Sequence, residues 1–246
     1  MRRKLAVSLM LLALLAGSCI VGTIEGSGNL TTETRQVSGF DRVSLSNIGL
    51  VVLTQGETEG LTVRADDNLM SHIVTEVREG TLHIGLTPRA SAAVLKPTAP
   101  IVFKVSFRDL SGLAVSGSGS FEVGRLETSV LDMSVSGSGD IGVSGLTAGE
   151  VRTSISGSGE VGIDGEASAQ TVSVSGSGRY RAQDLVTSSG KVSLSGSGFV
   201  VLHASDTLDV KITGSGTVRY FGEPHVTESI TGSGTLESIG PRGPQF

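Results

Sequence analysis

The 246-residue sequence predicts an all-β chain folded as a single-stranded parallel β-solenoid, with coils of 18 to 20 residues. The first observation is a Ser-Gly-Ser-Gly tetrad, written Thr-Gly-Ser-Gly in its last two copies, that occurs seven times at that spacing. The second is an aliphatic residue before every tetrad, and the third is a run of alternating apolar residues after it. Alternation with a period of two is typical of β-strands. A β-propeller needs about 40 residues per blade, so the short period favours a solenoid.

The residues before the tetrads are predicted to form one inward structural ladder, because equivalent residues of stacked coils lie about 4.8 Å apart. This ladder consists of Val115, Val135, Ile155, Val174, Leu194, Ile212 and Ile230. A second apolar rank follows two residues after each tetrad, at Phe121, Ile141, Val161, Tyr180, Val200, Val218 and Leu236. Strict alternation between the two ranks would point both glycines of a tetrad, such as Gly137 and Gly139, inward.

The chain before the repeats is rich in strand signals but lacks the 20-residue period. Strands are predicted at 40–46, 50–55, 61–65, 81–86 and 101–107. Asp67 and Asn68 predict a short helical turn that ends near Ile73, and residues 90–100 predict an exposed loop. We therefore expect one domain over residues 28–239, with a less regular part at 28–110, repeat coils at 111–239 and a C-terminal tail at 240–246.

The N-terminus has the pattern of an export signal. Arg2, Arg3 and Lys4 precede an apolar run of 12 residues, which is shorter than the roughly 20 needed to cross a bilayer. Small residues then lead to Cys19, the only cysteine of the chain, in an arrangement that resembles the bacterial lipobox.

The interpretation is a lipoprotein signal peptide at 1–18, lipidation of Cys19 and a short tether at 19–27. Ile20 stands where an aspartate would retain many lipoproteins at the inner membrane, so we expect an exported protein on the outer membrane, facing the periplasm or the cell surface. The lipid anchor would be its only membrane contact. An ordinary signal peptide followed by an incidental cysteine is the alternative.

Composition narrows the possible partners. Glycine and serine contribute 35 residues each, yet 38% of the chain is hydrophobic and the mean hydropathy is +0.18, which indicates order rather than a flexible linker. The chain has no tryptophan, two tyrosines and seven phenylalanines, and its net charge is −5. Few aromatic platforms and a negative charge exclude nucleic acid as a partner.

Motifs in the part before the repeats and at the entry into the repeats resemble those of a known family. The segment 37–43 (Val-Ser-Gly-Phe-Asp-Arg-Val), the segment 65–69 (Ala-Asp-Asp-Asn-Leu) and the entry at 110–113 (Leu-Ser-Gly-Leu) into the tetrads resemble the GIN-domain family of bacterial envelope proteins, described as auto-transporter adhesin head domains. The resemblance covers roughly residues 28–239. It implies a solenoid-like fold and an exported location, and it transfers no catalytic residues.

The sequence contains one candidate pair of catalytic carboxylates and no cofactor motif. Two GxGxxG matches, at 137–142 and 157–162, belong to the repeat and precede no helical pattern, so no nucleotide or other cofactor is predicted. No metal site is predicted, because the histidines lie scattered at His72, His83, His203 and His225. No GxSxG motif occurs. Asp140 and Glu160 occupy equivalent positions on adjacent coils, either as a catalytic carboxylate pair or as part of a solvated face balanced by Arg179.

These observations favour a non-enzymatic, lipid-anchored envelope protein that acts as an adhesion or binding module for an unknown protein or glycan ligand. One alternative is a carbohydrate-active β-helix enzyme, a lyase or hydrolase that would use Asp140 and Glu160. Another is a periplasmic structural or signalling accessory with a protein partner. Ice binding by the ranks of hydroxyls is disfavoured, because serine outnumbers threonine and the period slips. The oligomeric state stays open.

Overall fold

The computed structural model describes residues 22–241 and confirms a parallel β-solenoid. Twenty strands, one 3₁₀ helix and one short α-helix make up the described chain. The strands are β1 Thr23–Glu25, β2 Leu30–Arg35, β3 Arg42–Asn47, β4 Leu50–Gln55, β5 Gly60–Asp66, β6 Ile73–Arg78, β7 Thr81–Leu86, β8 Val94–Lys96, β9 Val102–Phe107, β10 Gly112–Gly117, β11 Ser120–Val123, β12 Leu126–Gly137, β13 Asp140–Gly157, β14 Glu160–Gly176, β15 Arg179–Gly196, β16 Phe199–His203, β17 Thr207–Gly214, β18 Thr217–Phe221, β19 His225–Gly232 and β20 Thr235–Gly240. The 3₁₀ helix is Asp67–His72, and α1 is Pro88–Ser91.

The apolar ladder before the tetrads forms in the predicted register. Val115 is opposite Val135, and the pairing continues coil by coil to Ile230. The first six members are at most 2% exposed. Ile230 differs, since 39% of it is exposed. It lies in the last coil, β19 and β20, and no described strand stacks over it.

The two glycines of each tetrad have different roles, because strict alternation does not continue through the tetrad. Gly137 is exposed and adopts a φ of +113°, at the corner where the chain leaves one side of the coil. Gly139 is buried, and a Cβ there would lie 2.6 Å from the Gly119 carbonyl oxygen. One glycine therefore turns the chain, while the other allows successive coils to stack closely.

The solenoid begins earlier than the repeats indicate. Residues 46–49, Ser-Asn-Ile-Gly, form the same corner as the tetrads, with Asn47 opposite Gly117 at a φ of +82°. Strands β3 and β4 therefore make a full coil under β10 and β11. On its other side this coil pairs with β7 and β9, which come later in the chain. The less regular part at 28–110 thus contains two stacked layers of the solenoid.

Antiparallel strands cover the N-terminal end of the stack. β6 pairs with β7, β5 pairs with β9, and β2 pairs with β5, all antiparallel. This cap satisfies edges that a solenoid otherwise leaves open. The predicted helical turn is present as the 3₁₀ helix between β5 and β6.

Two segments next to this cap contain short strands that the sequence does not predict. Within the predicted tether at 19–27, β1 pairs in parallel with β8. Within the predicted exposed loop at 90–100, β8 is that partner strand, and Ala90 at the end of α1 is buried. The missing signal is non-local, because neither three-residue strand is recognisable without the other.

A buried carboxylate fixes the segment that enters the domain. The Asp66 side chain is fully buried and accepts hydrogen bonds from the Gly28 backbone N–H at 2.9 Å and from the Thr98 hydroxyl at 2.6 Å. These hydrogen bonds, the Thr98 hydroxyl first, hold the Asp66 pKa below its ordinary value of 3.8. Next to it, Asn68 accepts from the Ser27 N–H and donates to the Glu25 carbonyl.

One layer of the interior is polar. Gln170, Tyr180 and Thr187 are each at most 2% exposed. The Tyr180 hydroxyl donates to Gln170 Oε1 at 3.1 Å, and Gln170 Nε2 donates to Thr187 Oγ1 at 2.8 Å. Burial raises the pKa of the Tyr180 phenol. Because these groups satisfy one another, a polar cluster replaces apolar packing in this part of the core.

Candidate binding face

One side of the solenoid presents three parallel columns of small hydroxyl side chains, which we call the serine face. The middle column is formed by the first residue of each tetrad, and the corner column by the third. Two residues before four consecutive tetrads, a shorter inner column of serines is in register with them. The columns are Ser134, Ser154, Ser173 and Ser193; Ser116, Ser136, Ser156, Ser175, Ser195, Thr213 and Thr231; and Ser118, Ser138, Ser158, Ser177, Ser197, Ser215 and Ser233.

These hydroxyls are exposed and unengaged. Every member of the three columns is exposed, and within residues 22–241 none of their hydroxyl groups hydrogen-bonds to another group of the chain. Backbone pairing fixes their spacing at about 4.8 Å along the stack, and about 6.6 Å separates neighbouring positions on one side of a strand. The serine face is therefore a rigid lattice of donors and acceptors available to a ligand.

A groove of about 510 Å³ lies at the N-terminal end of this same side. Its floor includes Gly112 and Ala114, the two smallest outward residues of β10, and Arg42 and Arg152 line it from the neighbouring coils. A Cβ at Gly112 would lie 3.2 Å from Arg42 Cγ, so the stem of Arg42 lies across this glycine. We call this feature the Arg42 groove.

The two arginines of the groove differ in their electrostatic partners. Arg152 forms a bidentate pair with Glu150 at 2.6 and 2.8 Å and lies 3.7 Å from Asp132. The hydrogen bond with Arg152 lowers the Glu150 pKa, and the same pair raises the pKa of the Arg152 guanidinium. Arg42 only donates a long hydrogen bond of 3.4 Å to Ser111 Oγ, and within residues 22–241 it has no ion pair.

The structure brings Asp140 and Glu160 together as opposite residues of adjacent coils. Both carboxylates already have protein partners. Asp140 Oδ1 accepts the Glu160 backbone N–H at 3.2 Å, and Glu160 pairs with Arg181 at 2.9 Å. The balancing cation is therefore Arg181 rather than the predicted Arg179. Neither Asp140 nor Glu160 lines the Arg42 groove.

The other residues singled out from the sequence are the histidines and Cys19. His83 is exposed on β7 between buried Leu82 and Ile84, as its alternation predicts, and it lines the Arg42 groove. In the part of the chain from 22 to 241, no group of His, Asp or Glu side chains has the arrangement of a metal site. Cys19, the predicted lipidation site, lies outside the described residues. No helix between residues 22 and 241 is long and apolar enough to cross a membrane.

Neither the inner serine column nor the Arg42 groove was predicted from the sequence. The column could have been found, because serine stands two residues before five of the seven tetrads. The groove could not, since it depends on β3 stacking beside β10 and on β7 stacking beside β3. Those strands are separated from β10 by insertions that hide the shared register.

Comparison with known proteins agrees with this architecture. Residues 39–224 match the model of a family described as putative auto-transporter adhesin, head GIN domain. Among solved structures, a putative adhesin from Bacteroides fragilis is 23% identical with a TM-score of 0.81, and the match covers 88% of this chain and all of that one.

Two structures from Parabacteroides distasonis are also similar. A putative lipid binding protein is 26% identical with a TM-score of 0.72, covering 88% of this chain and 99% of that one. A putative adhesin is 25% identical with a TM-score of 0.69, covering 88% of this chain and all of that one. A search of curated proteins finds no match.

Proposed function

The chain belongs to the GIN-domain family, and from this premise we propose that it is a non-enzymatic adhesion module of the bacterial envelope that binds its ligand through the serine face. The observation that supports this most directly is the lattice of exposed, unengaged hydroxyls at fixed spacing. Outward residues of a solenoid are free to vary, as the mixed column from Ser120 through Asp140 to Phe199 illustrates. The occurrence of hydroxyl side chains along three columns therefore indicates that these side chains have a common function.

The non-enzymatic part of the proposal rests on the state of the only predicted catalytic pair. A general acid or nucleophile must reach substrate, and a cleft normally surrounds it. Glu160 is instead paired with Arg181 on the outward side of β14, and Asp140 accepts a backbone hydrogen bond. Both carboxylates act as links between coils in this proposal.

The proposed location is the outer membrane, with Cys19 lipidated and no other membrane contact. The pattern of basic residues, a short apolar run and small residues before Cys19 supports this. Substituting Cys19→Ser should release the protein from the membrane fraction, and radiolabelled palmitate should then no longer enter it. Retention of label in the variant would contradict lipidation at Cys19.

Surface exposure and adhesion test the function itself. Protease treatment of intact cells should digest the protein while a periplasmic control survives. Cells that express the chain should also attach to glycan- or protein-coated surfaces better than cells that express the variant Cys19→Ser. Protection of the protein until the outer membrane is broken would refute the adhesin proposal and favour a periplasmic accessory.

A further inference from the structure

The Arg42 guanidinium forms no ion pair within residues 22–241, and the Asp41 carboxylate lies one hydrogen bond beyond it, because Ser111 Oγ accepts from Arg42 Nε at 3.4 Å and donates to Asp41 Oδ2 at 2.6 Å. Arg152, on the opposite side of the groove, is neutralised by Glu150 and Asp132. Arg42 has no carboxylate partner in the described part of the chain, and its one hydrogen bond uses Nε. Both terminal NH₂ groups of its guanidinium are thus available as a planar fork, the geometry that matches a carboxylate.

The floor of the groove leaves room for a ligand beside that fork. Gly112 lies under the Arg42 stem and Ala114 beside it is half-buried, while the two neighbouring coils carry Arg42 and Asp132 and the coil after that carries Arg152. Ser44, Ala114, Ser134 and Ser154 form one outward row that lines the groove. Since each step of that row is about 4.8 Å, an extended ligand along the stack would meet hydroxyls on successive coils from Ser134 onward.

The serine face also limits what kind of sugar could bind. Neutral sugars are usually held by stacking on aromatic rings, and the columns and the groove contain none. Binding therefore depends on hydrogen bonds and on charge. A carboxylate satisfies Arg42, while ring hydroxyls match the serine columns in both donor and acceptor capacity.

From these features we propose that the Arg42 groove binds an acidic polysaccharide that lies along the solenoid axis. One uronate carboxylate pairs with the Arg42 fork, and neighbouring sugar hydroxyls hydrogen-bond to the serine columns. This inference rests on the proposed adhesion function and specifies its ligand class.

The experiment measures binding of the full chain, extracted in detergent, to immobilised polygalacturonate and to neutral dextran. Wild type should bind polygalacturonate in preference to dextran, and salt should weaken the binding. Arg42→Gln should weaken it roughly tenfold, as expected for loss of a bidentate charged pair. Arg179→Gln removes the same charge from a different side of the solenoid, on β15, and should leave binding unchanged. Circular dichroism confirms that both variants fold.

The outcomes separate the ligand class from the function. Equal losses in Arg42→Gln and Arg179→Gln would indicate non-specific charge attraction and overturn the groove assignment. Equal binding to dextran and polygalacturonate would overturn the acidic ligand. If cells still adhere in either case, adhesion stands and only this inference fails. If cells neither expose the protein nor adhere, the proposed function itself fails.

Discussion

The corner glycines should be sensitive to substitution by any residue with a side chain, and Gly137→Ala tests why. At a φ of +113°, an alanine side chain is strained by about 1–3 kcal/mol. Its Cβ would also lie 2.7 Å from the Gly117 carbonyl oxygen of the coil below. Such overpacking costs about 1–3 kcal/mol more. Lower entropy of the unfolded chain offsets about 0.4–1 kcal/mol, so we expect a net loss of about 1–5 kcal/mol.

Two matched variants separate strain from packing. Gly139→Ala has no positive φ but would place Cβ 2.6 Å from the Gly119 oxygen, so it should show the packing cost alone. Gly162→Ala, on β14, has open space within 4 Å and an ordinary φ, and its stability should stay within about 0.5 kcal/mol of wild type.

The assay is urea unfolding followed by far-ultraviolet circular dichroism, comparing midpoints at equal slope. The expected order of stability is wild type and Gly162→Ala together, then Gly139→Ala, then Gly137→Ala. Should Gly137→Ala and Gly162→Ala unfold at the same midpoint, the explanation of the tetrads by corner geometry would be wrong.

Three further predictions concern the core and the cap. Ile155→Asp buries a charge in the ladder and should lower the free energy of unfolding by more than about 4 kcal/mol. The control Ser156→Asp changes an exposed residue and should alter the free energy of unfolding by at most about 0.5 kcal/mol. Urea unfolding measures both. Tyr180→Phe leaves buried Gln170 Oε1 without its donor and should cost about 1–3 kcal/mol; an unchanged midpoint would show that the polar layer is not coupled in this way. The pKa of the Asp66 carboxyl is depressed in the folded state, so the stability that this carboxylate provides is complete above the unfolded pKa near 3.8 and is lost as pH falls through the lower folded pKa. Melting scans below about pH 5 should show this loss of stability in wild type. A similar loss in Asp66→Asn would exclude Asp66 as its source.

The repeat half of the fold follows from sequence because its signal is local and repeated. A tetrad, one aliphatic residue before it and apolar alternation after it are enough to set the register from Val115 to Ile212. The earlier coil escapes notice because its corner carries Asn47 instead of glycine. Between that corner and the next, the antiparallel cap and the β7–β9 layer intervene.

The candidate site is predictable only in part, for a related reason. The hydroxyl columns follow from alternation once the inward ladder is known. The Arg42 groove depends on which strand stacks beside Gly112, and that partner lies 70 residues away in the chain. The polar interior is also hidden, because Gln170 and Thr187 face inward at positions where alternation predicts only burial and not partners.

Coil length varies on only one side of the solenoid. The length of the molecule can therefore change without a change in the serine face. The register shifts between β13 and β14 fall at Val143 and Leu146, and those between β14 and β15 fall at Gly162 and Asp164, while the tetrad corners stay aligned throughout. The loss of two residues in the shorter coils likewise falls between β16 and β17, away from the tetrads. Duplication or deletion of a whole coil would lengthen or shorten the molecule by about 4.8 Å while leaving the lattice of hydroxyls continuous. The number of coils can therefore change the length of the molecule without changing the spacing of the hydroxyls on its serine face.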